Sequence, residues 1–349
     1  MKPVTVPFFI SHQGCPHTCV FCDQHIISGA SGALPTTGEI LARIELWRTT
    51  AGRRSLEVAF FGGTFTALPI EAQAKLLMPL QPLLANGTLD SVRISTRPDC
   101  IEAAHVKWLL SRGVRTIELG VQSMDDAVLA SSGRGHSAAE SLDAIECIKS
   151  HGVRVGAQLM PGLPGDTPVS SLYSLEQVIA AGADFLRIYP TVVLEGTELA
   201  RRYVAGDFIP LSLDRGISLC TLLLQRAMQA GVPVVRIGLQ ADCGLNSEHV
   251  LAGCWHPALG QIVRSQLYAD LLCRIVPPGR SVTVSCHPAR VSDVVGMKRN
   301  NMFRQTGRGV QMQIVPDATL QMEELKVKTE DTDTIYSIIK DISYSILEV

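Results

Sequence analysis

Apolar runs in this chain follow single glycines at short, regular intervals. A stretch with helical spacing ends at Gly52 and LEVAFFGG follows. The same sequence of events occurs at Gly87 before SVRIST, Gly113 before TIELGVQS and Gly152 before VRVGAQLM. It recurs at Gly182 before ADFLRIYP and at Gly231 before VPVVRIG. Glycine just past a helix end can adopt the left-handed conformation that closes the last turn. The runs behind it are almost unbroken in apolar residues, as parallel strands covered on both faces require. With an opening strand around Pro7–Ser11, the pattern predicts six βα units and then a seventh strand. That is an α/β fold, a partial (β/α)6 parallel barrel of the TIM-barrel type. The first helix is expected from about Thr37 to Thr49, with Glu39 in the first turn, where the helix dipole favours an anion.

After about Ile237 the rhythm changes. Short β-like runs (SVTVS, VQMQIV) appear, with Pro277–Pro278–Gly279 between elements. Two domains are expected: residues 1–236 as the barrel and 237–349 as a smaller α+β domain. The stretch Met322–Thr334 is polar with mixed charge. The final IYSIIKDISYSILEV alternates apolar and polar residues, a pattern open to either a helix or a strand.

Composition adds limits. Of 349 residues, 46% are hydrophobic and 18% charged, enough apolar material for a large core and too much for a disordered chain. A formal net charge of −2 excludes a chain-wide basic field for nucleic acid. A local one stays open, since Arg280, Arg290, Lys298, Arg299, Arg304 and Arg308 make the later domain basic, as a solvated face or as a phosphate-binding one. The most apolar helix candidate, Ile217–Val232, is interrupted by Gln225, Arg226 and Gln229, and the N-terminus carries no signal-like apolar run. A cytoplasmic protein without a membrane segment is expected. In a reducing compartment its ten cysteines are free to bind metal.

In a parallel α/β barrel, chemistry collects at the C-terminal ends of the strands. The unusual residues of this chain fall there. They are the cysteine loop after strand 1, Gly62–Gly63–Thr64 after strand 2 and Thr96–Arg97–Pro98–Asp99 after strand 3. Gln122–Ser123 follow strand 4, Pro161–Gly165 strand 5, and Tyr189 and Thr191 strand 6. Arg97 and Asp99 suit either a ligand contact or a structural ion pair. Arg134 and His136 lie in a loop before a helix, and an arginine there suits a carboxylate. Tyr189 is read as a packing tyrosine or a hydrogen donor.

The cysteine loop reads Cys15-Pro-His-Thr-Cys19-Val-Phe-Cys22. Three thiolates so spaced can wrap one face of an iron–sulfur cubane and leave the fourth iron open. The competing reading is structural zinc on three cysteines and one of His12, His17 or His25. Glycines at 62 and 63 let backbone approach a ligand closely. Cys243, Cys254, Cys273 and Cys286, with His249, His256 and His287 among them, match no ligand spacing. They are read either as a second metal site or, like Cys100, Cys147 and Cys220, as small buried hydrophobes.

CxxxCxxC behind a buried strand is the motif of the radical S-adenosylmethionine (SAM) superfamily, which the chain resembles. Beyond it, HQGCPHTCVFC, FFGGTFTALP, STRPDCI, IELGVQSMDDAVL, SGRGH, MPGLPGDT and LRIYPTVVLEGTEL resemble the radical SAM domain of the Elongator catalytic subunit, a tRNA wobble-uridine modifying enzyme. These segments span about residues 6–200. Oxygen-independent coproporphyrinogen oxidases are similar more weakly, through the barrel, the Gly-Gly-Thr turn and the GVQS strand. The resemblance implies a [4Fe–4S] cluster on Cys15, Cys19 and Cys22 that cleaves SAM to a 5′-deoxyadenosyl radical. It implies SAM contacts from Phe21 (backbone more than ring), Gly62, Gly63, Thr64, Arg97, Gln122, Arg134 and Gln158. Reduced flavodoxin or ferredoxin would supply the electron. The radical would take hydrogen from a nucleoside, a tRNA or a small metabolite. A coproporphyrinogen-oxidase-like enzyme and a non-enzymatic tRNA- or metal-binding module are the alternatives. Two departures stand out. Ser95 occupies the place where both groups usually carry a glutamate, and the residues after about 240 show no recognisable acetyl-CoA-binding loop.

Overall fold

The computed structural model describes residues 3–28, 33–239, 249–330 and 332–348; Cys243 lies outside them. The chain divides into two compact units, Met1–Leu211 with Leu239–Gly253, and Ser212–Gly238 with Cys254–Val349.

In the first unit six strands lie side by side in chain order, all parallel. They are β1 (Val4–Phe9), β2 (Leu56–Phe61), β3 (Leu89–Thr96), β4 (Val114–Gln122), β5 (Arg154–Leu159) and β6 (Phe185–Ile188). This is the partial parallel barrel that the glycine-and-strand rhythm predicts. Val58, Ile94, Ile117, Val155 and Leu186 are fully buried and supply the apolar face that the helices cover. A short antiparallel pair follows, β7 (Val192–Leu194) with β9 (Val250–Gly253). The opening strand differs from the expected Pro7–Ser11. It ends at Phe9, because the chain turns at once, with Gln13 N donating to Ile10 O at 2.9 Å. Ile10 and Ser11 therefore belong to the site loop.

Helix starts follow local chemistry. The helix Thr37–Ala51 opens on a capping box in which Thr36 accepts from Glu39 N and Glu39 accepts from Thr36 N. Ser137 and Glu140 form the same device at the start of the helix Ala138–Ser150.

In the second unit the helix Leu213–Gln229 packs on the helix Leu259–Ile275, and β8 (Val234–Ile237) is the expected seventh strand. The compact division falls at 211/212, upstream of the expected 236/237, because Leu213–Gln229 spends its apolar face on Leu259–Ile275. Gln225 Nε2 also donates to Ile338 O and Ile342 O. A mixed four-stranded sheet completes the unit, in the order β11 (Gln311–Pro316), β10 (Ser281–Cys286), β12 (Glu324–Lys328), β13 (Asp333–Ser337). β10 and β11 are parallel, and β12 is antiparallel to both its neighbours. The alternating C-terminal run thus begins in β13, passes through turns and reaches a short 3-10 helix at Ile346–Glu348.

Candidate active site

The cysteine loop is held from both sides at the C-terminal ends of the strands. On one side the turn after β2 docks against it main chain to main chain: His12 N donates to Gly62 O (3.0 Å) and Thr64 N to Gln13 O (2.9 Å). A Cβ on Gly63 would stand 2.5 Å from both Gln13 O and Ile10 O. Glycine at 63 therefore makes room for the loop's own backbone. On the other side Val20 N donates to Ser132 O (3.1 Å) and Leu199 N to Val20 O (2.7 Å). Val20 and the ring of Phe21 sink into an apolar cluster with Val128, Met160, Leu163 and Leu199. The Phe21 ring is thereby occupied in packing, which leaves its backbone for any ligand.

The SGRGH loop reaches across the barrel to the same place. A Cβ on Gly135, which has φ +74°, would meet the His17 ring at 2.5 Å, so the two loops touch at van der Waals contact only because that Cβ is missing. Arg134, held between Gly133 and Gly135, sends Nη1 to Cys19 Sγ (3.4 Å) and Nη2 to Gly120 O (2.5 Å). Within the chain its partners are a thiol and a carbonyl. Cys15 Sγ lies 3.4 Å from Thr64 Oγ1, and Gln24 Nε2 donates to Cys22 Sγ at 3.5 Å. Each of the three sulfurs thus meets one polar group drawn from a different segment. Gln24 was not among the residues singled out from the sequence, and its place two positions after the last cysteine is the only signal it gives.

Arg97 and Asp99 form a bidentate ion pair at 2.9 and 2.8 Å, the structural alternative of the two readings. One guanidinium nitrogen, Nη1, stays buried with no hydrogen-bond partner. Arg134 Nε, His136 Nδ1 and Thr191 Oγ1 are in the same condition. Gln122, a non-glycine residue at φ +71°, turns its side chain to Gln158, whose Nε2 donates to Gln122 Oε1 at 3.0 Å. The two glutamines predicted on separate strands therefore act as one pair.

Below this rim the strands carry an ion chain that periodicity did not reveal. Glu57 on β2 accepts from Arg93 on β3 (2.8 Å) and Arg93 Nη1 reaches Glu118 on β4 (2.6 Å). Glu118 also pairs with Arg187 on β6 (2.7 Å), whose Nη1 donates to Tyr189 Oη (3.0 Å). Glu118 is the register partner of Ser95, the position where the resembling families carry a carboxylate. Its oxygens are taken by the two arginines.

These contacts test whether a cluster and SAM fit. Burial pushes the Cys22 thiol up to about 12; Cys19 and Cys15 nearby reinforce this, while Gln24 and Arg134 oppose it. A bound metal holds its cysteine ligands as thiolates, so a cluster would overcome that rise. Among the described residues no three His, Cys, Asp or Glu converge tightly enough to hold a single ion. Sulfurs that each bind a separate iron of a cubane do not converge on one point either. The buried, unpartnered nitrogens of Arg97 and Arg134 and the hydroxyl of Thr191 are groups that a ligand with carboxylate and hydroxyl oxygens would satisfy. The residues fit both groups.

A parallel half-barrel with a three-thiol loop at its strand ends defines the class. The model described as the radical SAM superfamily matches residues 9–170, and that of the radical SAM C-terminal domain matches 183–269. This chain belongs to the radical SAM superfamily, whose cofactors are a [4Fe–4S] cluster and SAM. It is 29% identical over 252 residues to the tRNA uridine(34) acetyltransferase of Methanocaldococcus infernus, covering 61% of this chain and 47% of that protein. The chain spans about half the length of the acetyltransferase and Elongator relatives it matches. Among solved structures it is similar to the archaeal Methanocaldococcus infernus Elp3 lacking residues 1–46, with a TM-score of 0.60 and 20% identity over 93% of this chain and 74% of that one. Coproporphyrinogen III oxidase (HemN) from Escherichia coli follows at a TM-score of 0.50 and 21% identity, over 66% of this chain and 53% of that one. Among the described residues no helix is long and apolar enough to cross a membrane.

Proposed function

We propose that this chain is a radical SAM enzyme that holds a [4Fe–4S] cluster on Cys15, Cys19 and Cys22 and acts on a nucleoside within RNA. The carrying observation is the convergence on three cysteine sulfurs of Thr64, Arg134 and Gln24, one polar group for each. When bound, the cluster supplies the electron that breaks the sulfonium C–S bond of SAM and yields a 5′-deoxyadenosyl radical. The chain's own residues hold and orient. The cysteines ligate, and donors beside them stabilise charge on sulfur. Arg97 Nη1, Arg134 Nε and Thr191 Oγ1 take ligand oxygens, with Gln122 and Gln158 beside them. The turn at Gly62, Gly63 and Thr64 fixes the loop. Phe21, Val20 and Leu199 keep water from the buried side. A reduced flavodoxin or ferredoxin is the electron donor in this reading.

An RNA substrate is supported by the named activity of the tRNA-modifying relative. The test is formation of 5′-deoxyadenosine by the reduced, reconstituted protein with and without total tRNA. Acceleration by tRNA, absent when a porphyrinogen replaces it, is expected. Equal rates with and without RNA would contradict the choice of substrate.

A further inference from the structure

We propose that the second unit carries a docking surface for unpaired RNA, built from Lys298, Arg299, Asn300 and Phe303. It rests on the reading that the substrate is RNA, and it concerns residues outside the cysteine site. Three observations carry it.

The first is backbone strain. Lys298 and Arg299 are consecutive non-glycine residues at φ +50° and +65°. The left-handed region is unfavourable for residues with a Cβ, and such outliers persist where the surroundings enforce them. Here they do: Arg299 N donates to Gly296 O, and the buried Asn301 side chain donates to Ser265 O, Asp293 O and Val294 O. The frame holds two exposed cations in a conformation that glycine would adopt more easily.

The second is charge. Residues 294–316 contain four Lys or Arg and no Asp or Glu. Asp293 is shared between Arg264 (3.5 Å) and Arg290 (3.2 Å), and Arg304 pairs with Asp270 (3.1 Å). Lys298 and Arg299 have no carboxylate partner among the described residues. The surface thus keeps an excess of positive charge on a chain whose formal net charge is −2.

The third is an aromatic face. Phe303 is 63% exposed on the helix Asn300–Thr306, one turn beyond Arg299 and next to Arg304. Asn301 and Gln305 take the buried side of that helix. An exposed ring among cations is a platform on which an unpaired base stacks while phosphates meet the ammonium and guanidinium groups. The exposed amide of Asn300 offers both a donor and an acceptor to a ribose 2′-hydroxyl.

The test is fluorescence anisotropy of the full chain with a labelled twelve-nucleotide single-stranded RNA, its duplex, and DNA of the same sequence. Cluster-free protein serves, so the outcome is independent of whether SAM is cleaved. Tighter binding of single-stranded RNA than of duplex or DNA is expected, weakening with salt. Lys298→Glu with Arg299→Glu should weaken it at least tenfold and flatten the salt slope. Phe303→Ala should weaken it several-fold and leave the slope unchanged. Lys298→Gly with Arg299→Gly should raise the melting temperature while weakening binding, which separates the proposal from a folding defect. No binding of the RNA, equal binding of duplex or DNA, or full binding by the charge-reversed variant would overturn it.

Discussion

Arg134 Nη1 lies 3.4 Å from Cys19 Sγ across 115 positions of sequence. This contact joins the loop between the helices Asp126–Ser131 and Ala138–Ser150 to the cysteine loop after β1, and places a fixed positive charge beside a cysteine proposed to ligate the cluster. Hydrogen bonds and cations at cluster sulfurs favour the more negative, reduced state. Arg134→Gln is therefore expected to lower the cluster's midpoint potential and to slow 5′-deoxyadenosine formation by roughly tenfold or more, given that charge-assisted hydrogen bonds contribute about 1.5–3 kcal/mol. Redox titration followed by optical bleaching reads the first effect. An unchanged potential would mean that Arg134 only braces the loop.

Glu118 receives Arg93 and Arg187, and its side chain is 6% exposed. Removing one charge from a buried network leaves the others uncompensated, at a cost of about 3–5 kcal/mol. Glu118→Gln should lose stability on that order in urea denaturation. Glu45→Gln is the control: Glu45 pairs with Arg48 on an exposed helix face, and its loss should cost under about 1 kcal/mol. Equal effects would show the ion chain to be solvated.

Gly63→Ala forces a methyl group to within 2.5 Å of two main-chain oxygens, neither of which can rotate away. A cost of about 1–3 kcal/mol and reduced iron content after reconstitution are expected. Gly38→Ala, in open space within the helix Thr37–Ala51, should be neutral or stabilising by up to about 1 kcal/mol. Iron content equal to wild type in Gly63→Ala would refute the interlocking of the two loops.

His136 is held at about 4, mainly by burial and further by Arg134 and Arg97. Its folded value lies below the unfolded value of 6.5, so the neutral ring is the folded form. The stability this contributes is complete above pH 6.5 and is lost as pH falls toward 4. It amounts to roughly 3 kcal/mol. The melting temperature of cluster-free protein should fall more steeply between pH 6.5 and 4 in wild type than in His136→Gln, whose amide can keep the bond to Val121 O. Parallel curves would show that another group controls acid unfolding.

The strands β2–β6 were legible because each follows a glycine that closes a helix, and burial on both faces leaves an unbroken apolar run. The cysteine loop was legible because its chemistry depends on local spacing. What escaped depends on contacts between distant segments. Glu57, Arg93, Glu118 and Arg187 each interrupt an apolar run, and their partners lie 36, 25 and 69 positions away. The signal was present, since a charge inside a doubly covered strand must find a partner. The pairing depended on strand register, which the pattern does not specify. The reason for glycine at 63 escaped for the same cause, because the oxygens it avoids belong to Ile10 and Gln13. The end of β1 was misplaced by two residues, because Ile10 is apolar and fully buried although it lies in the loop.

The central claim is that Cys15, Cys19 and Cys22 hold a cluster able to cleave SAM. Its most direct test is made on anaerobically reconstituted protein. Iron, sulfide and zinc are counted, and 5′-deoxyadenosine is then measured after adding dithionite and SAM to wild type and to Cys19→Ala. The account predicts about four irons and four sulfides per chain, with deoxyadenosine from wild type alone. Zinc in place of iron with no deoxyadenosine, or equal product from both proteins, would contradict it.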